Sequence, residues 1–157
     1  MSDDDFSNVS PRILTPGALQ FVLDRELQRA MRARTYLALV TVKVESAASA
    51  APAEEPPVTE IAGLVEQVMR DQDLLGHMDG GILALVLLDS DYERALRVAE
   101  RITAGLESQP LAESIKITIG AACYPTHAMG AASLQRWALS HSVATCRPGG
   151  RSSVHQK

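Results

Sequence analysis

Arg70-Asp71-Gln72-Asp73-Leu74-Leu75-Gly76-His77-Met78-Asp79-Gly80-Gly81-Ile82-Leu83-Ala84-Leu85-Val86-Leu87-Leu88 is the stretch that decides the fold. Two apolar runs flank Asp79-Gly80-Gly81, and paired glycines tolerate the positive φ that a hairpin turn demands. The pattern predicts two antiparallel strands joined tightly. Upstream, Val58 to about Arg70 places Ile61, Leu64, Val65 and Val68 on one helical face. Downstream, Asp89-Ser90-Asp91 caps a helix from Tyr92 to Leu106, with Ala95, Val98, Ala99 and Ile102 as its apolar stripe.

Two further strands complete the pattern. Leu37–Val44 is apolar enough to lie centrally in a sheet, and Ile115–Cys123 ends at Tyr124-Pro125. Thr15-Pro16 opens a helix running to about Arg34, with Leu19, Leu23, Leu27, Ala30 and Met31 at helical spacing. A last helix is predicted from about Ala131 to Cys146, stopped by Pro148-Gly149-Gly150. The order gives an α+β fold: a ferredoxin-like, palm-like sandwich with a βαββαβ core, an extra N-terminal helix and a C-terminal helix. Residues 1–12 read as a flexible tail and 13–157 as a single domain. Residues 46–57 form an Ala/Pro/Glu-rich loop whose prolines prevent sheet pairing.

Composition narrows the function. The chain has 157 residues, 46% hydrophobic and 22% charged, which suits a globular domain. A net charge of −4 provides no basic field for a nucleic-acid backbone. No apolar run is long enough to span a membrane, and the acidic Met1-Ser2-Asp3-Asp4-Asp5 start is unlike a signal peptide, so a cytoplasmic location is expected. Cys123 and Cys146 read as reduced thiols, and the four scattered histidines suggest no zinc site. Trp137, at helical spacing with Leu134, reads as core, and His77 as a strand residue.

Several segments resemble the GGDEF family of diguanylate cyclases. Leu14-Thr15 is similar to the family's opening Leu-Thr-Gly-Leu, Leu37–Val44 to its first strand, and Ala95-Leu96-Arg97-Val98-Ala99-Glu100-Arg101-Ile102 to its consensus helix. Ile117-Thr118-Ile119-Gly120-Ala121-Ala122 resembles its Val-Ser-Ile-Gly-Val-Ala strand, and Arg147-Pro148-Gly149-Gly150-Arg151 its closing Lys-x-x-Gly-Arg. The hairpin turn stands where the family carries Gly-Gly-Asp-Glu-Phe.

That resemblance implies lost chemistry. The family reaction joins two GTP molecules with two divalent metals held by carboxylates. Here the first-strand carboxylate position falls at Lys43, and the signature acids fall at Gly81 and Ile82, or at Ile82 and Leu83 if the register slips by one. The base-binding Asn falls at Leu19. No catalytic residue, no metal ligand and no magnesium cofactor are expected, and the chain is not expected to be an enzyme. Arg147 and Arg151, which match family phosphate contacts, read as surface charge.

The resemblance also implies a retained feature. Family members often carry an inhibitory Arg-x-x-Asp motif that ends five residues before the signature and binds cyclic di-GMP. Arg70-Asp71-Gln72-Asp73 is followed by five residues and then Asp79, and Arg101 matches a further arginine of that site. Arginine pairs bidentately with guanine O6 and N7, aspartate accepts from N1 and N2, and two arginines offset two phosphates. Arg70, Asp73 and Arg101 are therefore the expected cyclic di-GMP ligands. The expected function is a receptor for that messenger, with ligand-dependent homodimerisation. The alternative is a nucleotide-independent module that binds a protein partner. A plain surface ion pair between Arg70 and Asp73, worth a few tenths of a kcal/mol, is the simplest structural reading of the motif.

Overall fold

The computed structural model describes residues 13–46, 58–108, 115–146 and 153–154. Its strands are β1 (Ile13–Leu14), β2 (Leu37–Ser46), β3 (Leu74–Met78), β4 (Ile82–Leu88), β5 (Ile115–Tyr124), β6 (Ser142–Cys146) and β7 (Ser153–Val154). They form one sheet in the order β1-β3-β4-β2-β5-β6-β7. The helices among the described residues are α1 (Pro16–Ala33), α2 (Val58–Val68), α3 (Tyr92–Glu107) and α4 (Ala131–Ser140).

β2 lies at the centre and pairs antiparallel with β4 on one side and β5 on the other. Its residues alternate between two cores. Ala38, Val40, Val42 and Val44 pack with α2 and α3, while Leu37 and Leu39 pack with α1 and α4. The order β3-β4-β2-β5, with α2 and α3 on one face, is the expected ferredoxin-like core, and α1 and α4 cover the other face. Covering both faces explains why β4 is buried along most of its length.

Local chemistry sets the helix ends. Thr15 caps α1 by accepting from the Ala18 N–H at 3.2 Å, with Pro16 in the first turn. Asp91 caps α3 by accepting from the Arg94 N–H at 3.0 Å. The hairpin forms as expected: Met78 pairs with Ile82 across a three-residue turn in which Gly80 and Gly81 have φ of 87° and 74°.

Two expectations are corrected. The last helix does not reach Cys146: α4 ends at Ser140, and Ser142–Cys146 forms β6 against β5. Ser-Val-Ala-Thr-Cys is poor helix material, and the open edge of β5 offers it a ladder. Trp137 packs against the core from the edge, partly buried, with its ring stacked on His127 at 4.9 Å and His141 at 3.9 Å. Met31 is exposed, because the buried stripe of α1 runs through Leu19, Leu23, Leu27 and Ala30. The tail 1–12, most of the 46–57 loop and the Arg147–Arg151 segment lie outside the described residues.

Candidate ligand site

Arg70 and Asp73 lie at the end of the sheet opposite the hairpin turn. β4 runs between the two ends, from Ile82 beside the turn to Leu88 beside Arg70, roughly 20 Å at strand rise. The chain between α2 and β3 closes a tight reciprocal turn. Arg70 N–H donates to Asp73 Oδ2 at 3.0 Å, and Asp73 N–H donates to the Arg70 carbonyl at 3.0 Å.

The turn is held from beneath by residues that the motif alone does not reveal. Asp73 has a fully buried side chain, and its Oδ2 accepts from Arg94 Nη2 at 3.2 Å. Ser90 Oγ donates to the Leu88 carbonyl at 2.8 Å and accepts from Arg94 Nη1 at 2.8 Å and Arg70 Nη2 at 3.2 Å. One donor and two lone pairs are all that a hydroxyl has, so Ser90 is saturated and couples the two arginines. Arg70 also donates to the Leu88 carbonyl at 3.4 Å. The Arg70 side chain is 46% exposed, while that of Arg94 is 17% exposed.

Of the three expected site residues, the structure brings two together. Arg70 Nε lies 4.0 Å from Asp73 Oδ2. Arg101 is exposed on α3, about 10 Å further along the helix than Arg94 by helical rise, and makes no hydrogen bond or ion pair among the described residues. Arg94, Arg97 and Arg101 follow one another at i, i+3 and i+7, one stripe of the helix. Arg94 and Ser90 are the residues that sequence reasoning missed. The visible signal was Arg94, one heptad before Arg101 and three residues past the Asp91 cap.

The hairpin end is different in character. Lys43 on β2 registers with Ile82 on one side and Thr118 on the other, and its Nζ pairs with Glu45 Oε2 at 3.1 Å. Beside the turn, α1 and α4 leave a pocket of about 200 Å3 walled by Leu19, Met78, Ile82 and Leu139, with Gln20, His77, Asp79 and Gln135 as its polar lining. Ligand pockets usually run about 300–1,000 Å3. An ammonium and an isoleucine at the strand positions, with Glu45 already paired, do not fit a site for hard divalent cations. No group of three or more His, Cys, Asp or Glu among the described residues is placed to hold a metal. None of the described helices is long and apolar enough to cross a membrane.

Comparison with known proteins places this architecture. The family model for "Diguanylate cyclase, GGDEF domain" matches residues 57–143, more than half of the chain. The chain belongs to the GGDEF domain family. Among solved structures, the GGDEF domain of PA1120 (YfiN or TpbB) from Pseudomonas aeruginosa is 25% identical with a TM-score of 0.66, covering 82% of this chain and 86% of that one. The active GGEEF domain of a diguanylate cyclase from Vibrio cholerae is 18% identical with a TM-score of 0.69, covering 82% and 87%. The coiled coil and GGDEF domain of DgcB from Caulobacter crescentus, in complex with c-di-GMP, is 13% identical with a TM-score of 0.65, covering 83% and 76%. No curated protein matches the chain.

Proposed function

We propose that this chain is a receptor for cyclic di-GMP built on a GGDEF domain that does not itself make the messenger. The observation that carries the reading is the Arg70 guanidinium. It is held at the surface by Asp73, Leu88 and Ser90, on a side chain still 46% exposed, at the end of the sheet away from the hairpin. A half-exposed, pre-positioned fork is what bidentate recognition of guanine or phosphate requires. Arg101 supplies a second exposed cation on the neighbouring helix. Asp73 serves the site by holding Arg70 and Arg94 through Oδ2, its side chain being fully buried. Loss of catalysis is proposed from Lys43 and Ile82, which stand where the family chemistry uses acids.

Titration calorimetry with cyclic di-GMP, with GTP as control, tests this reading. The expected result is binding near or below micromolar, about −8 kcal/mol, with Arg70→Ala losing it while remaining folded, its melting temperature lowered by a few degrees at most. Absence of heat and of any melting shift at high ligand would overturn the receptor and leave a protein-interaction module as the reading to pursue.

A further inference from the structure

A guanine offers two acceptors, O6 and N7, and a donor edge at N1 and N2. Arg70 answers the acceptors. The donor edge needs a carboxylate, and Asp73 cannot supply it: its side chain is fully buried and its Oδ2 is taken by Arg94. Asp71, inside the turn, is exposed but does not line the pocket at this corner, whereas the residue after Leu88 carries a free carboxylate and does line it. Asp89 is exposed, lies in the left-handed region with φ 51°, and makes no hydrogen bond or ion pair among the described residues. A non-glycine residue at positive φ costs backbone energy, and such outliers gather at functional positions.

Asp89 lines a pocket of about 380 Å3 together with Tyr36, Leu88, Gln72, Arg29 and Glu26. The pocket adjoins the Arg70 turn twice. Gln72 belongs to the turn itself, and the Leu88 carbonyl accepts from Arg70 Nη2 at 3.4 Å. Tyr36 is 50% exposed, which leaves ring surface for stacking, and its backbone is tied to the same corner by the Ser90 N–H at 3.3 Å. Glu26 is already paired with Arg29 at 3.9 Å, so Asp89 is the carboxylate available to a ligand.

We propose that this pocket is a guanine-base subsite, in which Tyr36 stacks on the base, Asp89 accepts from N1–H and N2–H, and Arg70 at the rim faces O6 and N7. The inference rests on the cyclic di-GMP reading for its natural ligand, but the pocket's chemistry concerns the base alone. Adenine presents no paired donor edge, so the subsite selects guanine over adenine.

The test uses the full chain with cyclic di-GMP, cyclic di-AMP and GMP as probes. Asn is among the residues most tolerant of positive φ, so Asp89→Asn keeps the backbone while removing the charge and half of the acceptor capacity. Asp89→Asn is expected to weaken cyclic di-GMP about tenfold or more and to erase the preference over cyclic di-AMP. Tyr36→Ala is expected to weaken it about tenfold, and Tyr36→Phe to leave it unchanged. Wild-type binding that survives both Asp89→Asn and Tyr36→Ala, yet is lost in Arg70→Ala, would overturn the subsite and leave the receptor standing. If cyclic di-GMP fails to bind but GMP binds and Asp89→Asn abolishes it, the receptor falls and the subsite stands. If none of the three probes binds, both fall.

Discussion

Arg94 Nη2 lies 3.2 Å from Asp73 Oδ2, and the carboxylate it meets is wholly removed from solvent. The other oxygen, Asp73 Oδ1, is buried without a hydrogen-bond partner. The pair therefore joins α3 to the turn between α2 and β3 through a half-satisfied charge. Removing one partner of a buried ion pair leaves an uncompensated charge, which typically costs about 3–5 kcal/mol.

Arg94→Leu is accordingly expected to destabilise the fold by about 3 kcal/mol or more, read as a lower urea midpoint. Arg70→Ala removes an exposed partner 4.0 Å from the same carboxylate and is expected to cost under about 1 kcal/mol. Equal losses in the two variants would contradict the assignment of Arg94 as the residue that neutralises Asp73.

Gly120 on β5 passes directly under α4. A Cβ there would run into the carbonyl of Ala138 and come within 2.9 Å of Thr41 Oγ1. Backbone cannot swing aside as a long side chain can, so Gly120→Ala is expected to cost about 3 kcal/mol by overpacking. Gly63, exposed in α2 with nothing near its missing Cβ, is the contrast: Gly63→Ala is expected to add about 0.5–1 kcal/mol. Thermal or urea unfolding of the two variants checks both signs.

The same glycine shows what was not legible in the sequence. Nothing in the sequence alone marked Gly120, whose need for a bare Cα comes from α4 above it, but the hairpin at Asp79-Gly80-Gly81 declared itself through its turn chemistry. The βαββαβ order followed from periodicity, because α2, α3, β2 and β5 each carry an unambiguous stripe or run. β6 was illegible, since Ser142–Cys146 continues the apolar spacing of α4 and only the open edge of β5 makes it a strand. At the candidate site, Arg70 and Asp73 were visible as a motif, but a motif carries no burial. That Asp73 faces inward depends on Arg94 and Ser90, which are 21 and 17 residues away in the chain.

His127 sits in a ladder of rings, with Tyr92 edge-on at 4.5 Å and Trp137 stacked at 4.9 Å. Its Nδ1 accepts from the Cys123 N–H at 3.0 Å, which leaves no lone pair for a proton on that nitrogen. Burial, and secondarily the nearby His141, lower its pKa below the ordinary 6.5. Below that value the unfolded chain takes up a proton that the folded chain resists, so stability is lost as pH falls from 6.5 through the folded value. Urea midpoints are expected to drop as pH falls below about 6.5. His127→Asn, which keeps an acceptor for the Cys123 N–H, is expected to flatten that dependence. Trp137, the chain's single tryptophan, reports unfolding by fluorescence.

The hairpin end yields the last prediction. Catalysis by this family joins two GTP molecules through metal-held phosphates, and the metals require carboxylate oxygens at the ends of two neighbouring strands. β2 and β4 are neighbours here, but the residues in register are Lys43 and Ile82, and Lys43 is held by Glu45 at 3.1 Å. A cation at that position repels magnesium, and isoleucine offers it no ligand. The pocket behind the turn, about 200 Å3, is also smaller than ligand pockets usually are. Incubation of the full chain with GTP and either Mg2+ or Mn2+ is therefore expected to yield no cyclic di-GMP and no linear dinucleotide by ion-exchange chromatography. GTP with Mg2+ is likewise expected to leave the melting temperature unmoved. Accumulation of either product in proportion to protein, and its loss on substituting residues around Asp79, would show that the chain rebuilds the metal site from carboxylates elsewhere in the hairpin region.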